Sequence, residues 1–299
     1  MTTVEHRTFR DGHGVDISFR RWEPPVSSGV VVISHGASEH SGRYDRFARA
    51  LNEAGFSGYA LDHRGHGDTA DATGIGLIGP SAGEALLEDL HQLVESARVE
   101  HPVLPVVLFG HSMGSMPALA YATRHRDLSG LVLSGFPAGA AVVAAFAEQL
   151  QQAIAAGMSS EPSPSLSGLN AAFEPARTPF DWLSRDAAEV DRYIADPRCG
   201  DDVPLTFGFL HELFSTVVPA LEPTALTSIA CPVLLITGER DAAADMGNNA
   251  RQLEDALRAA GVTSASHYYQ DARHELLNEI NRDEITADVL AWVRAKTCS

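Results

Sequence analysis

The sequence predicts an α/β fold: a mostly parallel eight-stranded sheet flanked by helices, with an inserted helical cap. Three observations predict it. Short apolar runs alternate with helical patterns from residue 29 to residue 135, the alternation stops at Phe136-Pro-Ala-Gly139, and it resumes at Cys231-Pro-Val-Leu-Leu-Ile-Thr-Gly238. Strands alternating with helices imply right-handed crossovers and a sheet covered on both faces.

The elements follow in order. Residues 4–11 and 15–24 read as two strands around Asp11-Gly-His-Gly14, a turn-forming stretch, and predict an antiparallel hairpin. After Pro24-Pro25, Gly29-Val-Val-Val-Ile-Ser34 is a continuous apolar run of the kind a fully buried parallel strand shows. A helix is expected at 41–55, then strand 56–62, helix 82–100, strand 105–111, helix 113–125 and strand 129–135. Residues 137–226 are the insertion. Within it Val143, Phe146, Leu150 and Ile154 recur at helical spacing opposite Glu148, Gln149 and Gln152, and Phe207, Leu210, Phe214 and Val217 repeat the pattern further on. Both stretches predict amphipathic cap helices. Between them Glu161-Pro-Ser-Pro-Ser-Leu-Ser-Gly168 cannot continue a helix and is expected to be mobile, letting the cap move. Helix 247–260, strand 265–270 and helix 285–296 complete the core. The organisation is therefore core over 1–136, cap over 137–226 and core again over 227–299.

Composition narrows the partners. A formal charge of −17 repels polyanions, and no Lys/Arg run is present, so nucleic acid is excluded as a partner. The start, Met1-Thr-Thr-Val-Glu-His-Arg7, lacks a basic region followed by an apolar stretch, and no apolar run approaches the roughly 18 residues of a spanning helix. A cytoplasmic location is expected. Cys199, Cys231 and Cys298 are odd in number and lack CxxC spacing, which fits free thiols in a reducing compartment.

Chemistry concentrates in one run, Gly110-His-Ser-Met-Gly114. This G-x-S-x-G follows the apolar strand and opens a helix, the context of a nucleophile elbow, which exposes the Ser112 hydroxyl above the sheet. Serine is a weak nucleophile at its own pKa, so it needs a base, and the base needs a partner to fix its tautomer. Asp241 lies just past the strand 231–238, with Glu239 and Asp245 as alternative acids, and His274 occupies the matching place after strand 265–270. Active groups of open α/β sheets collect at the carboxyl ends of strands, where Ser112, Asp241 and His274 can converge. An oxyanion needs preorganised backbone donors. Met113, after the nucleophile, and Ala37, in the loop after strand 29–34, are the candidates; His35 reads as a brace for that loop rather than a second catalytic histidine. His35, His40, His63, His66 and His111 fall in separate loops without paired thiolates or an H-E-x-x-H helix, so no metal and no cofactor are expected. Arg64 and Asp62 of Asp62-His-Arg-Gly-His-Gly67 are expected to pin their loop structurally.

Together, His35-Gly-Ala-Ser-Glu-His-Ser-Gly-Arg-Tyr44, Asp62-His-Arg-Gly-His-Gly67, Gly110-His-Ser-Met-Gly114 and His274-Glu-Leu-Leu-Asn-Glu279 resemble the monoacylglycerol lipase and lysophospholipase branch of the α/β-hydrolase superfamily. The likeness spans nearly the whole chain, and Tyr193-Ile-Ala-Asp-Pro197 resembles a segment common in the family's cap. It implies the α/β-hydrolase fold, Ser112 as nucleophile, Asp241 as acid, His274 as base, and Ala37 and Met113 as oxyanion donors, in agreement with the reading from the residues. The activity it implies is hydrolysis, through an acyl-enzyme, of an ester with an apolar acyl chain. Val143, Phe146, Leu150, Phe207 and Leu210 would line the acyl site, and the cap would make transient contact with a lipid surface. The alternatives are a lysophospholipase or general carboxylesterase, a prolyl aminopeptidase-type peptidase, and a non-catalytic binding module on the same scaffold. Dehalogenases and epoxide hydrolases share the fold but carry aspartate at the elbow, where this chain has Ser112.

Overall fold

A computed structural model describes residues 4–79, 82–137 and 139–297. Strands β1 (Val4–Arg10) and β2 (Asp16–Trp22) form the antiparallel hairpin, with Val4 opposite Trp22 and Arg10 opposite Asp16. Its turn closes on Asp11, whose carboxylate accepts the N–H groups of His13 (2.9 Å) and Val15 (2.6 Å). There follow β3 (Val30–Ser34), α1 (Asp45–Glu53), β4 (Ser57–Leu61), α2 (Ala70–Thr73), α3 (Ala82–Glu100), β5 (Val106–His111), α4 (Ser115–Arg124) and β6 (Gly130–Ser134). The insertion carries α5 (Ala140–Ala155), a 3-10 turn over Leu166–Phe173, α6 (Ala187–Ala195), α7 (Phe207–Val217) and α8 (Pro223–Leu226). The chain then returns through β7 (Val233–Gly238), α9 (Asn248–Ala259), β8 (Ser264–Tyr269) and α10 (Arg282–Thr297).

The strands pair in the order β1-β2-β4-β3-β5-β6-β7-β8, antiparallel up to the β2–β4 pair and parallel thereafter. From β3 to β7 every strand residue is buried, because helices cover both faces. Alternate residues supply the two layers: Val32, Leu108 and Leu133 pack towards α3 and α4, while Ile33, Phe109 and Ile236 pack towards α1 and α10. Edge strand β8 alternates half-buried with exposed residues over most of its length.

The insertion departs from the sequence reading in two respects. Besides the two expected helices it contains α6, which has only Val190 and Tyr193 as buried apolar anchors, too few to register as a periodicity; Asp186 caps it by accepting the Ala188 N–H at 3.0 Å. In α7 the most buried apolar side chains are Phe209, Leu213, Phe214 and Val217, whereas Phe207 and Leu210 are half-buried. The apolar stripe is wide enough that its inner face is turned from the one the spacing suggests. Cys199 and Cys231 are free and buried; Cys298 lies outside the described residues. Among the described residues no helix is long and apolar enough to cross a membrane.

Two polar clusters fix the loops at the carboxyl ends of the strands. Arg64, wholly buried, pairs with Asp11 and with Asp89 (2.7 Å), so the hairpin turn, the β4 loop and α3 share one ion network. Burial pushes the Asp89 carboxyl up to about 6 despite Arg64 beside it. Asp62 accepts the N–H groups of Ser41 (2.8 Å) and Asp68 (2.9 Å), the structural role expected for this pair. Beside them His35, His63 and His66 pack ring against ring, with centroids 4.6 and 5.2 Å from His35. His35 Nδ1 donates to the Gly36 carbonyl (2.7 Å) and its Nε2 accepts the His63 N–H (3.0 Å), bracing the loop with a neutral imidazole. Burial lowers the pKa of all three, that of His66 to about 3.

Replacing Arg64 with alanine leaves Asp11 and Asp89 buried without their cation. The variant should be about 3–5 kcal/mol less stable in urea denaturation. The histidines make stability depend on pH. Their folded pKa values lie below the unfolded value of about 6.5, so between the two the unfolded chain binds more protons, and stability present above pH 6.5 is lost as pH falls. His66 alone accounts for on the order of 1–2 kcal/mol between pH 6.5 and 5. The raised Asp89 carboxyl works the other way, but His35 and His63 add to His66, so the urea midpoint should still drop over that range; an unchanged midpoint would contradict this balance.

Candidate active site

At the end of β5 the chain turns directly into a 3-10 turn, Ser112–Gly114, and then α4. Ser112 holds φ at 50°, a left-handed conformation that costs a residue with a side chain roughly 1–2 kcal/mol. The surroundings impose it. A Cβ on Gly114 would collide with the carbonyl oxygens of Ser34 and His35, so only glycine lets the elbow press against the end of β3. A Cβ on Gly36 would likewise stand 3.2 Å from Ser112 Cβ, which shows how closely the β3 loop, carrying Ala37, approaches the serine.

The structure brings Ser112, His274 and Asp241 into one hydrogen-bonded chain. His274 Nε2 lies 2.8 Å from Ser112 Oγ, and His274 Nδ1 lies 2.9 Å from both carboxylate oxygens of Asp241. A carboxylate at Nδ1 requires the proton there, which leaves the Nε2 lone pair facing the serine hydroxyl. Asp241 is fully buried, and its Oδ1 also accepts the N–H groups of Ala243 (2.9 Å) and Ala244 (3.1 Å). The alternative acids turn elsewhere: Asp245 bonds Asn248 and Glu239 faces Arg251. Burial works to lower the His274 pKa, but the charge and hydrogen bond of Asp241 outweigh it, and the net shift is upward. The adjacent His111 goes the other way, to about 4, through burial and the nearness of His274.

Several site residues were not singled out from the sequence. Glu39 accepts the Gly36 N–H (2.6 Å) and the Tyr44 hydroxyl (2.8 Å), and Arg43 bridges Glu39 (2.9 Å) to Glu275, tying the loop of Ala37 to the loop of His274. Burial would raise the Glu39 carboxyl, yet Arg43, the neighbouring histidines and the Gly36 N–H hold it at about 2. Glu39, Arg43 and Glu275 sit inside the two long motifs, and that membership is the signal that could have found them. Ser38, at φ 54°, turns its carbonyl to the Gly200 N–H (2.9 Å) and the Tyr193 hydroxyl (3.0 Å), which docks the insertion onto this loop. Trp182, whose ring centroid is 5.0 Å from that of His274, carried no sequence signal.

Of the residues expected to line an acyl site, Val143 and Leu150 are buried among Phe209, Leu213 and Val217, Phe207 and Leu210 pack half-buried on the same cluster, and Phe146 is 39% exposed against Phe214. That cluster also contains Met113 and touches Ala37. A cavity of about 20 Å³, room for a single water, lies behind the site between Arg43, His111, Ser134 and Glu275. An open groove of about 520 Å³ on the insertion, lined by residues such as Asn170, Ala171, Glu174, Arg177 and Pro179, does not include Ser112. Two clusters group metal-capable side chains, His40–Asp196–Cys199 and His91–Glu95–Asp127. In the first, His40 Nδ1 accepts the Gly42 N–H and its protonated Nε2 donates to Asp196 (3.0 Å); in the second, Arg98 reaches both carboxylates, at 3.7 and 3.5 Å. Each cluster is thus charge-satisfied by protein groups.

Residues 25–281 match the family described as serine aminopeptidase, S33. The monoacylglycerol lipase of Mycolicibacterium smegmatis is 32% identical over 98% of this chain and 97% of its own length. The monoglyceride lipase of Rattus norvegicus is 29% identical over 92% of this chain and 85% of its own. Among solved structures, a highly thermostable carboxyl esterase from Bacillus coagulans in complex with glycerol superposes with a TM-score of 0.88 at 28% identity, covering 99% of this chain and 100% of that one. The chain belongs to the serine aminopeptidase S33 family of α/β-hydrolases, in its monoacylglycerol lipase-like branch, and is a serine ester hydrolase.

Proposed function

We propose that the chain hydrolyses monoacylglycerols through an acyl-enzyme formed on Ser112. The observation that carries the reading is the Ser112–His274–Asp241 chain of hydrogen bonds at 2.8 and 2.9 Å on a left-handed elbow. His274 Nε2 takes the Ser112 proton as Oγ attacks the ester carbonyl, and the tetrahedral oxyanion is received by the backbone N–H groups of Ala37 and Met113. The imidazolium then gives its proton to the leaving glyceryl oxygen, and water repeats the sequence to release the fatty acid.

The apolar cluster running from Met113 and Ala37 to Val143, Leu150, Phe207 and Leu210 supports an acyl site there. Each buried methylene contributes about 0.8 kcal/mol, so longer chains gain over acetate. Phe146, 39% exposed, and Met158, 38% exposed, on and just after α5 support a transient meeting of the insertion with a lipid surface. The free, buried thiols of Cys199 and Cys231 are the basis for placing the enzyme in the reducing cytoplasm.

The reading is tested by hydrolysis of p-nitrophenyl esters from acetate to palmitate, alongside monoacylglycerol, lysophospholipid and aminoacyl-proline substrates. Turnover should peak at medium or long chains, favour monoacylglycerol, and fall by about six orders of magnitude in Ser112→Ala and His274→Ala. A maximum at acetate, or activity surviving Ser112→Ala, would contradict it.

A further inference from the structure

Two aromatic rings pack against His274. His111, at the end of β5, has its centroid 4.9 Å away; Trp182 has its centroid 5.0 Å away with the planes at 39°. Trp182 comes from the insertion, in the stretch between the 3-10 turn and α6, and that stretch is fastened to the loop bearing the histidine. The Trp182 carbonyl accepts the His274 N–H (3.5 Å), the Leu183 carbonyl accepts the Glu275 N–H (2.8 Å), Ser184 Oγ donates to the Asn278 carbonyl (2.8 Å), and Arg185 pairs with Glu279 (2.9 Å). On its other flank Asn170 Oδ1 accepts the Trp182 backbone N–H at 2.9 Å, and Phe180, Leu183, Val190 and Tyr193 share its apolar cluster, the residue being 3% exposed. The indole is therefore held against the imidazole from two directions.

Both nitrogens of His274 are engaged, Nδ1 by Asp241 and Nε2 by Ser112. What remains for an approaching group is the ring itself. When His274 takes the serine proton it becomes a cation with water excluded, and an indole is the aromatic surface that attracts a cation most strongly at such a distance. His111 cannot serve in this way, because a second imidazole that gained a proton would repel the first. The other charges facing His274 are Asp241 from the β7 loop, Glu275 on its own loop, and Glu39 from the β3 loop; Arg43 pairs with both glutamates. The indole N–H of Trp182 is buried without an acceptor among the described residues, so the contact with His274 is made by the ring and not by a hydrogen bond.

We propose that Trp182 is a positioning residue for the base: the indole supplied by the insertion stabilises the His274 imidazolium, so the insertion sets the basicity on which ester cleavage depends. This rests on His274 acting as the base. A residue from the insertion thereby reaches into the chemistry of the sheet, and substitutions at this one position would tune the working pH of the enzyme without touching Ser112, His274 or Asp241.

The test measures the His274 pKa directly, by NMR of the labelled imidazole, together with the acidic limb of kcat/KM against pH, in the parent protein, Trp182→Phe and Trp182→Leu. Trp182→Leu should lower the pKa by about half to one unit and carry the acidic limb to lower pH by the same amount, with a reduced kcat plateau. Trp182→Phe, which keeps a π face and loses the N–H, should retain most of the parent value. Trp182→Met replaces the leucine variant should that one not fold. An unmoved pKa in the leucine or methionine variant overturns the proposal, as does a phenylalanine variant that shifts as far as they do, since the N–H would then be responsible. The NMR titration needs no turnover, so this failure is distinct from failure of the esterase reading, which shows as turnover that does not require Ser112.

Discussion

A carboxylate without solvent must be surrounded by donors, and Asp241 imposes that condition on the whole carboxyl end of the sheet. It is fully buried, accepts two backbone N–H groups from its own turn, and offers both oxygens to His274 Nδ1. Removing any one of these donors would leave a buried carboxylate oxygen short of a hydrogen bond, a loss of about 1–3 kcal/mol. The arrangement is therefore rigid for reasons of stability, and the same rigidity presents an imidazole with its Nε2 lone pair towards Ser112. The strained φ of Ser112 is held by the contact between Gly114 and the end of β3.

Three of the insertion's attachments to the core bear on the loops around this centre. Thr206 caps α7 and donates to the Gly76 carbonyl at 3.0 Å; Tyr193 and Gly200 hold the Ser38 carbonyl in the oxyanion-loop candidate; and residues 181–185 are fastened to the loop of His274. The insertion's contacts run through the loops that carry Ala37 and His274, so the geometry of both depends on how the insertion is folded. The salt link from Glu39 through Arg43 to Glu275 adds a direct tie between those loops beneath the insertion.

Much of this was legible in the sequence because the relevant signals are local. Strands buried on both faces announce themselves as unbroken apolar runs, and Gly110-His-Ser-Met-Gly114 states its own geometry once it lies between such a run and a helix. The position after β8 was enough to pick His274 from 13 histidines. The position just past β7 favours Asp241 as the acid over Glu239 and Asp245, and Asp241 is the one that bonds His274 while the other two face Arg251 and Asn248. What escaped is non-local. Trp182 lies in an aperiodic stretch, and its importance comes from an imidazole 92 residues further along the chain. Helix α6 is short and anchored by two side chains, and on α7 the spacing picks out the buried Phe214 and Val217 but not Phe209 and Leu213, because Phe207, Phe209, Leu210, Leu213 and Phe214 leave little polar contrast.

The central claim is that Ser112 is made nucleophilic by His274 and Asp241 as one unit. Labelling with a fluorophosphonate followed by peptide mass spectrometry tests it most directly, because the reagent needs an activated serine but no substrate pocket of a particular shape. The account predicts one equivalent of label on Ser112, with the rate collapsing in both His274→Ala and Asp241→Asn while the fold is retained. Label on another serine, or a rate on Ser112 that is indifferent to His274, would contradict it.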